Sequence, residues 1–314
     1  MAEQLYILGI FIGILWGATN NVGMLLEKYV INSIPIEERE DKFFRKLAKN
    51  KIWLLGFSLD IGISTIFYVL GQLLVGPTLL PGLGAAGLIF MAIGSVKLIK
   101  EKFKIQDIAA IASLIVAIAL LGFSRLLIEV PIYDFSEQGF LIRSSIFMVI
   151  NLGLILVLEI TQRKSRQFRG FALALVSGLW AMMQNFVTAF STAAMIPFFS
   201  GNITLFWGLT LVISGVLSAG ALVISIAKMQ NSFKYTDARL AIPIREVPIQ
   251  IGPAFVFISV FALFPPNVLS LPFLYIAIAL IIVSSFLLGK RQAELEKIEL
   301  EDGKTVISDP KDIV

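Results

Sequence analysis

The chain has 314 residues, 57% of them hydrophobic and only 15% charged, with a mean hydropathy of +0.86. Soluble domains carry about 25% charged residues, so the composition points away from that class. Cysteine and histidine are both absent, which excludes disulfides, thiolate metal sites and histidine-based catalytic triads.

In chain order, nine apolar runs meet or approach the roughly 20 residues that a bilayer core requires. They are Leu5–Leu26, Ile52–Val75, Leu79–Val96, Ile105–Phe123, Phe140–Leu158, Phe171–Phe199, Ile203–Ala227, Ala241–Phe264 and Val268–Leu288. The first is expected to stay as a span rather than be cleaved as a signal peptide: it lacks a basic start and runs on through Trp16 and Asn20–Asn21. The third is short, and the eighth holds Pro243, Pro248 and Pro253, which predicts a kinked or broken helix. Segments 27–51, 97–104, 159–169, 228–240 and 289–314 hold 23 of the 26 Lys and Arg residues. The alternate connections hold only Arg125. Basic residues favour the cytoplasmic side, so nine spans place the N-terminus outside and the C-terminus inside. This topology explains the pI of 9.2 better than nucleic-acid binding does.

Residues 37–51 place Phe43, Phe44 and Leu47 at helical spacing among charges, as an interfacial helix would. The tail from Lys290 reads as a short helix to about Leu300. A solvated linker and a solvated tail are the alternatives.

Leu15-Trp16-Gly17-Ala18-Thr19-Asn20-Asn21 in the first span recurs as Leu179-Trp180-Ala181-Met182-Met183-Gln184-Asn185 in the sixth. Leu80-Pro81-Gly82 and Ile242-Pro243-Ile244 each open a later span. The predicted fold is therefore all-α, a polytopic membrane protein of about nine transmembrane helices. Two inverted four-helix repeats are joined by a linker helix, a known construction of secondary transporters. The divisions are residues 1–30 (first span), 31–51 (cytoplasmic amphipathic loop), 52–123 (rest of the first repeat), 140–160 (linker helix), 171–289 (second repeat) and 290–314 (cytoplasmic tail).

Gly76-Pro77-Thr78-Leu79-Leu80-Pro81-Gly82-Leu83-Gly84-Ala85, then Lys100-Glu101-Lys102-Phe103 and an apolar helix ending Leu121-Gly122, resembles the drug/metabolite transporter (EamA-like) superfamily. Within it the chain is most similar to the NIPA-type magnesium transporters, and its Leu25-Leu26-Glu27-Lys28-Tyr29 also resembles their first-helix end. The likeness is best over residues 5–123 and thinner over 171–289. It implies transport, with magnesium as one expected substrate. Where those transporters carry an intramembrane glutamate, this chain has Ile66, and Asp60 is the only acid of that helix.

Asp60 lies about 12 Å into its span by helical rise. Intramembrane acids are costly and mark transport sites by default, so Asp60 is the candidate to hold a cation or proton; a structural pair with a neighbouring helix is the alternative. Ser64, Tyr68 and Gln72 follow it at helical spacing, forming one polar stripe that must face the bundle, whether as lining or as packing. Asn20, Asn21, Gln184 and Asn185, with Trp180 beside them, come from repeat-related places and are expected to meet near the midplane. Interhelical hydrogen bonding would also explain them. Arg245 and Glu246, between prolines, read equally as an inner gate or as an interfacial ion pair. Arg143 and Asn151 of the linker helix read as structural or surface-facing. No catalytic residues and no cofactor are expected, since the chain offers no nucleophile–base pair. The expected partners are a small-molecule or ion substrate and the lipid bilayer of the cell membrane, with a homodimer left open and no nucleic acid. The sequence reading is a secondary transporter working by alternating access, for magnesium or another divalent cation. An exporter of small polar or amphipathic metabolites is the alternative, as is a non-transporting sensor or scaffold.

Overall fold

A computed structural model describes residues 2–32, 47–90, 93–94, 105–130, 133–162, 166–201, 204–232, 235 and 238–307. The predicted amphipathic segment up to residue 46, with Phe43 and Phe44, and the basic stretch 97–104 lie outside these residues. Leu47, at the edge of the first, is buried.

The described residues are mostly helical, without strands. In order they form α1 (Ala2–Asn32), α2 (Lys51–Phe57), a π-helical turn (Ser58–Ile63), α3 (Ser64–Gly84), α4 (Ile105–Ser124) and α5 (Gln138–Thr161). Then follow α6 (Arg166–Phe199), α7 (Leu205–Ser232), α8 (Ala238–Phe255), a second π-helical turn (Val256–Val260) and α9 (Ser270–Ile307). Seven helical stretches are long and apolar enough to cross a membrane, which suggests a membrane protein.

Two expected spans account for the difference between nine and seven. The second and third fall in one stretch, Lys51–Phe90, interrupted by Gly76 at φ 74° and ψ 177°. Packing along α1 shows what happens there. Gly23 of α1 lies against Gly56 and Asp60, and Gly9 against Leu74 and Val75, so residues 51–75 run antiparallel to α1. Beyond Gly76 the order reverses: Gly13 meets Leu80 and Leu83, Gly17 meets Gly84, and Leu25 reaches Gly94. The chain doubles back at Gly76, with Pro77 suited to the first position of the new helix because the proton it lacks has no partner there. The other missing span, Ala241–Phe264, is helical as α8 and its π-helical turn, but Arg245, Glu246 and the prolines keep it outside the apolar set. Of the expected kink or break, the break is absent: α8 runs through Pro243, Pro248 and Pro253. Where no water replaces a lost intrahelical bond, a helix gives up only the bonds that proline removes. The tail is helical from Lys290 to Leu300 as expected. It does not start a separate helix at Lys290; α9 continues through it to Ile307.

Gly76 is a position where conformation demands glycine. Its φ lies in the left-handed region, and a Cβ there would meet the Ile128 carbonyl oxygen at 2.5 Å. Gly76→Ala is expected to destabilise the fold by about 2 kcal/mol, seen as a lower melting temperature in detergent.

The connections poor in basic residues gather at one end. Glu3 pairs with Arg125 at 3.1 Å, and the Tyr133 hydroxyl donates to the Phe261 carbonyl at 3.1 Å. Arg143 Nε donates to the Val260 carbonyl at 2.8 Å, closing the end of the second π-helical turn. Phe135, Phe140, Phe190 and Phe261 surround these contacts, with Phe135 at 5.3 Å from both Phe140 and Phe190 in edge-to-face geometry. Partial burial raises the Tyr133 hydroxyl above its usual range. Glu159, Lys228, Arg169 and Tyr235 meet at the opposite end. Accordingly α1 runs from the first end to the second, and α6 runs the other way.

Candidate functional site

The interior polar groups come from α1, from the π-helical turn with α3, and from α6. The stripe behaves as its spacing predicts: Ser64, Tyr68 and Gln72 are buried, and Asp60 is half-buried. Ile66, by contrast, is 60% exposed on the outer face of the helix, so an acid there would point away from the bundle.

Asn185 of α6 is the hub. It accepts from the Tyr68 hydroxyl at 2.9 Å and from Gln72 Nε2 at 2.8 Å, both through Oδ1, and its Nδ2 donates to the Pro77 carbonyl at 2.9 Å. That carbonyl belongs to the new helix just after the reversal at Gly76. Trp16 of α1 covers Tyr68, the rings 4.9 Å apart and inclined at 55°. The hub is closed: no room for a water remains between Pro77, Met182, Asn185, Phe186, Pro253 and Val256. Two oxygens beside it, Gln72 Oε1 and Thr78 Oγ1, are buried without a hydrogen-bond partner among the described residues. Unsatisfied buried polar atoms are uncommon and costly, and these two lie next to the polar centre.

A second cluster sits toward the basic end. Asn20 Nδ2 donates to Asp60 Oδ1 at 2.5 Å, and the Ser64 hydroxyl donates to the Asp60 carbonyl. Asp60 lies within the first π-helical turn, a feature frequent at functional sites. Glu27 is the residue that sequence reasoning missed. Its Oε1 is buried without a hydrogen-bond partner among the described residues, and its charge repels that of Asp60. Glu27 stands seven positions after Asn20, two helical turns along one face of α1, and that spacing was the available signal.

The four expected amides do not meet. Asn20 goes to Asp60 and Asn185 to α3, while Asn21 Nδ2 turns back to the Gly17 carbonyl at 2.9 Å. Gln184 Nε2 lies 3.4 Å from Thr188 Oγ1, and both side chains also interact with the Tyr68 hydroxyl. Azimuth separates the first pair: adjacent residues on a helix point about 100° apart, and Asn20 and Asn21 send their side chains to different places, whereas Gln184 and Asn185 both reach Tyr68. Trp180 is half-buried at the edge of the core. Arg245 Nε donates to Ser177 Oγ at 3.2 Å, and Glu246 accepts from Gln250 at 3.1 Å. Their mutual distance is 3.8 Å, so this pair is engaged with α6 and α8 and stands apart from the hub. Asn151 is buried with only two 3.5 Å contacts to α6.

No cluster of three or more His, Cys, Asp or Glu residues exists among the described residues. A cation at Asp60 would rely on Asp60, Glu27, the Asn20 amide oxygen and retained water, a set of hard oxygen donors compatible with magnesium chemistry. The chain matches no protein-family model, no curated protein and no solved structure.

Proposed function

We propose that the chain is a secondary transporter of the cell membrane with nine spans, N-terminus outside, built as two inverted four-helix repeats around the Asn185 hub. The hub carries the reading. A closed polar centre joins α3 to α6 beside the Gly76 turn, inside helices otherwise apolar enough for lipid.

Three features support the repeat. The helix pairs match: α1 packs antiparallel to residues 51–75 and alongside the helix after Gly76, while α6 packs antiparallel to α7 and alongside α8, with Gly178 against Arg245 and Pro248 and Gly252 against Met182. α1 and α6 run in opposite directions. α4 and α9, the last helix of each proposed repeat, pack extensively on each other. The likeness of the Pro77–Ala85 turn to the drug/metabolite transporter superfamily agrees with this architecture.

The mechanism is alternating access. The closed state has its outer end sealed by Arg143–Val260, Tyr133–Phe261 and the phenylalanines around them. Opening toward either side parts α3 from α6 and frees the Asn185, Gln72 and Tyr68 groups for a solute. Asp60 with Asn20 and Glu27 lies on the inner route and holds a cation or proton; magnesium or another divalent cation is the leading substrate. A small polar or amphipathic metabolite is the second reading, favoured by the amides and by the Trp16–Tyr68 pair.

The test is flux in proteoliposomes, comparing magnesium uptake with metabolite efflux, with and without a pH gradient. Asp60→Asn keeps the shape and removes the charge, and is expected to lower flux at least tenfold with melting unchanged; a positioned intramembrane charge gives that scale. Wild-type protein that moves no offered solute, or an Asp60→Asn protein as active as wild type, would sink the transporter reading at this site and leave a sensor or scaffold.

A further inference from the structure

Between α4 and α5 the chain crosses the outer end of the bundle, and residues 125–130 do so without forming a helix. Connections normally run over a surface, yet Leu126, Ile128 and Val130 are at most 1% exposed. Arg125 and Glu129 are exposed and Leu127 is half-buried. This is the alternation of an extended segment with one face turned inward. Two of its amides are satisfied locally: Leu127 N–H donates to the Arg125 carbonyl and Val130 N–H to the Ile128 carbonyl, both at 2.9 Å.

The strap is fastened on both sides. Toward the first proposed repeat, Arg125 pairs with Glu3 of α1 at 3.1 Å. The Ile128 carbonyl presses on Gly76, where a Cβ would come within 2.5 Å of it. Toward the second, the Tyr133 hydroxyl donates to the Phe261 carbonyl at 3.1 Å. Phe135 packs edge-to-face on Phe190 of α6 at 5.3 Å and on Phe261 at 5.9 Å. One short connection thus bridges the seam between the repeats.

The fastenings are of a kind that can release. Glu3 and Arg125 are both exposed, and ion pairs in water contribute little. A single hydrogen bond and ring contacts hold the other side. Both anchors also carry backbone strain: Arg125 has φ 49°, and Ala262, next to Phe261, has φ 52°. Residues other than glycine are uncommon in this region, and such strain collects in switch segments. Its relief offsets part of the loss of contacts when the strap lifts.

We propose that residues 125–130, with Tyr133 and Phe135, form a latch that ties the two repeats together at the outer end and lifts when the protein opens outward. The latch rests on the transport reading and adds to it the element that moves, a connection rather than a helix. Lifting the strap uncovers Gly76, and the neighbouring Pro77 carbonyl accepts from Asn185, so the latch governs access to the hub from outside.

The chain has no cysteine, so an introduced thiol reports its own accessibility against a silent background. Val130→Cys, with nearly equal volume, puts a thiol beneath the strap, and Leu126→Cys is a second reporter should the first not fold. Ser270→Cys is the control, equally buried at the same end but on α9. Each full-length protein is reacted with a maleimide in lipid nanodiscs, well below its melting temperature. Both strap thiols are expected to react about tenfold faster than the control, since a local opening costs less than a global one. Adding Tyr133→Phe, which keeps the ring and removes the hydroxyl, should speed the strap thiols about fivefold, the scale of one hydrogen bond, and leave Ser270→Cys unchanged. Strap thiols that react no faster than the control, or a rate that Tyr133→Phe leaves unchanged, overturn the latch. Flux in proteoliposomes separates the two readings. Flux from a protein with a strap that never lifts discards the latch alone, whereas a lifting strap in a protein that moves no offered solute keeps the latch and discards transport.

Discussion

Gly17→Val is expected to leave little folded protein. Gly17 stands where α1 touches the helix after Gly76 backbone to backbone. A Cβ on Gly17 would enter the backbone of Gly84, one on Gly84 would enter the Trp16 ring, and one on Gly87 would enter Asn21 and the Gly17 carbonyl. Lipid chains are as apolar as leucine, so helices in a bilayer associate through close packing of small residues and interhelical hydrogen bonds rather than through exclusion of water. Valine would force α1 outward and with it Trp16 off Tyr68 and Asn20 off Asp60. Overpacking of this kind costs upwards of about 3 kcal/mol. The check is the folded fraction during SDS titration of purified protein. Gly215→Ala on α7 is the control, since nothing lies within 4 Å of a Cβ placed there; its effect should stay under about 1 kcal/mol. Equal behaviour of the two variants would show that the Gly17–Gly84 contact does not hold the bundle.

Asn185→Leu is expected to separate two roles of the hub. The side chain makes three hydrogen bonds across helices, to Tyr68, Gln72 and the Pro77 carbonyl. Leucine fills the volume but strands all three partners in an apolar interior. Interhelical bonds in membranes contribute about 0.6 kcal/mol each, and a stranded polar group adds its own penalty, so the loss should be about 2–3 kcal/mol. Asn151→Leu is the contrast. Asn151 is equally buried, but it donates only at 3.5 Å and its own Oδ1 has no partner among the described residues. Replacing it removes an unpaired acceptor and should cost under about 1 kcal/mol. In proteoliposomes Asn185→Leu should also lower flux at least tenfold at matched protein content, while Asn151→Leu should not. Wild-type flux in an Asn185→Leu protein that remains folded would remove Asn185 from the solute path.

Much of the site could be read from spacing, and the failures have one cause. The stripe Asp60–Ser64–Tyr68–Gln72 faces inward because residues about four apart share a helix face, and a carboxylate and an amide are too costly to leave in lipid. The same rule made Glu27 accessible from Asn20. It did not identify partners. Asn185 meets Tyr68 and Gln72 because α6 crosses α3 there, and Asn20 meets Asp60 because residues 51–75 fold back along α1. Neither crossing is written in either helix alone. Asn21 carries the same amide chemistry as Asn20, yet turns to its own helix because it lies about 100° away around the axis. The Pro77 carbonyl left no trace as a site residue, since a backbone group shows no residue type to read.

From the sequence alone came the helical class, the apolar runs, the clustering of basic residues in alternate connections and the inward stripe. Each depends only on local composition and helical period, which a chain carries with it wherever it packs. Tertiary structure decided that α8 stays continuous through its prolines, and that Asn185 rather than the four amides together forms the centre. Those outcomes depend on how closely helices approach and at what angle they cross, and both are set by pairs of surfaces rather than by any one segment.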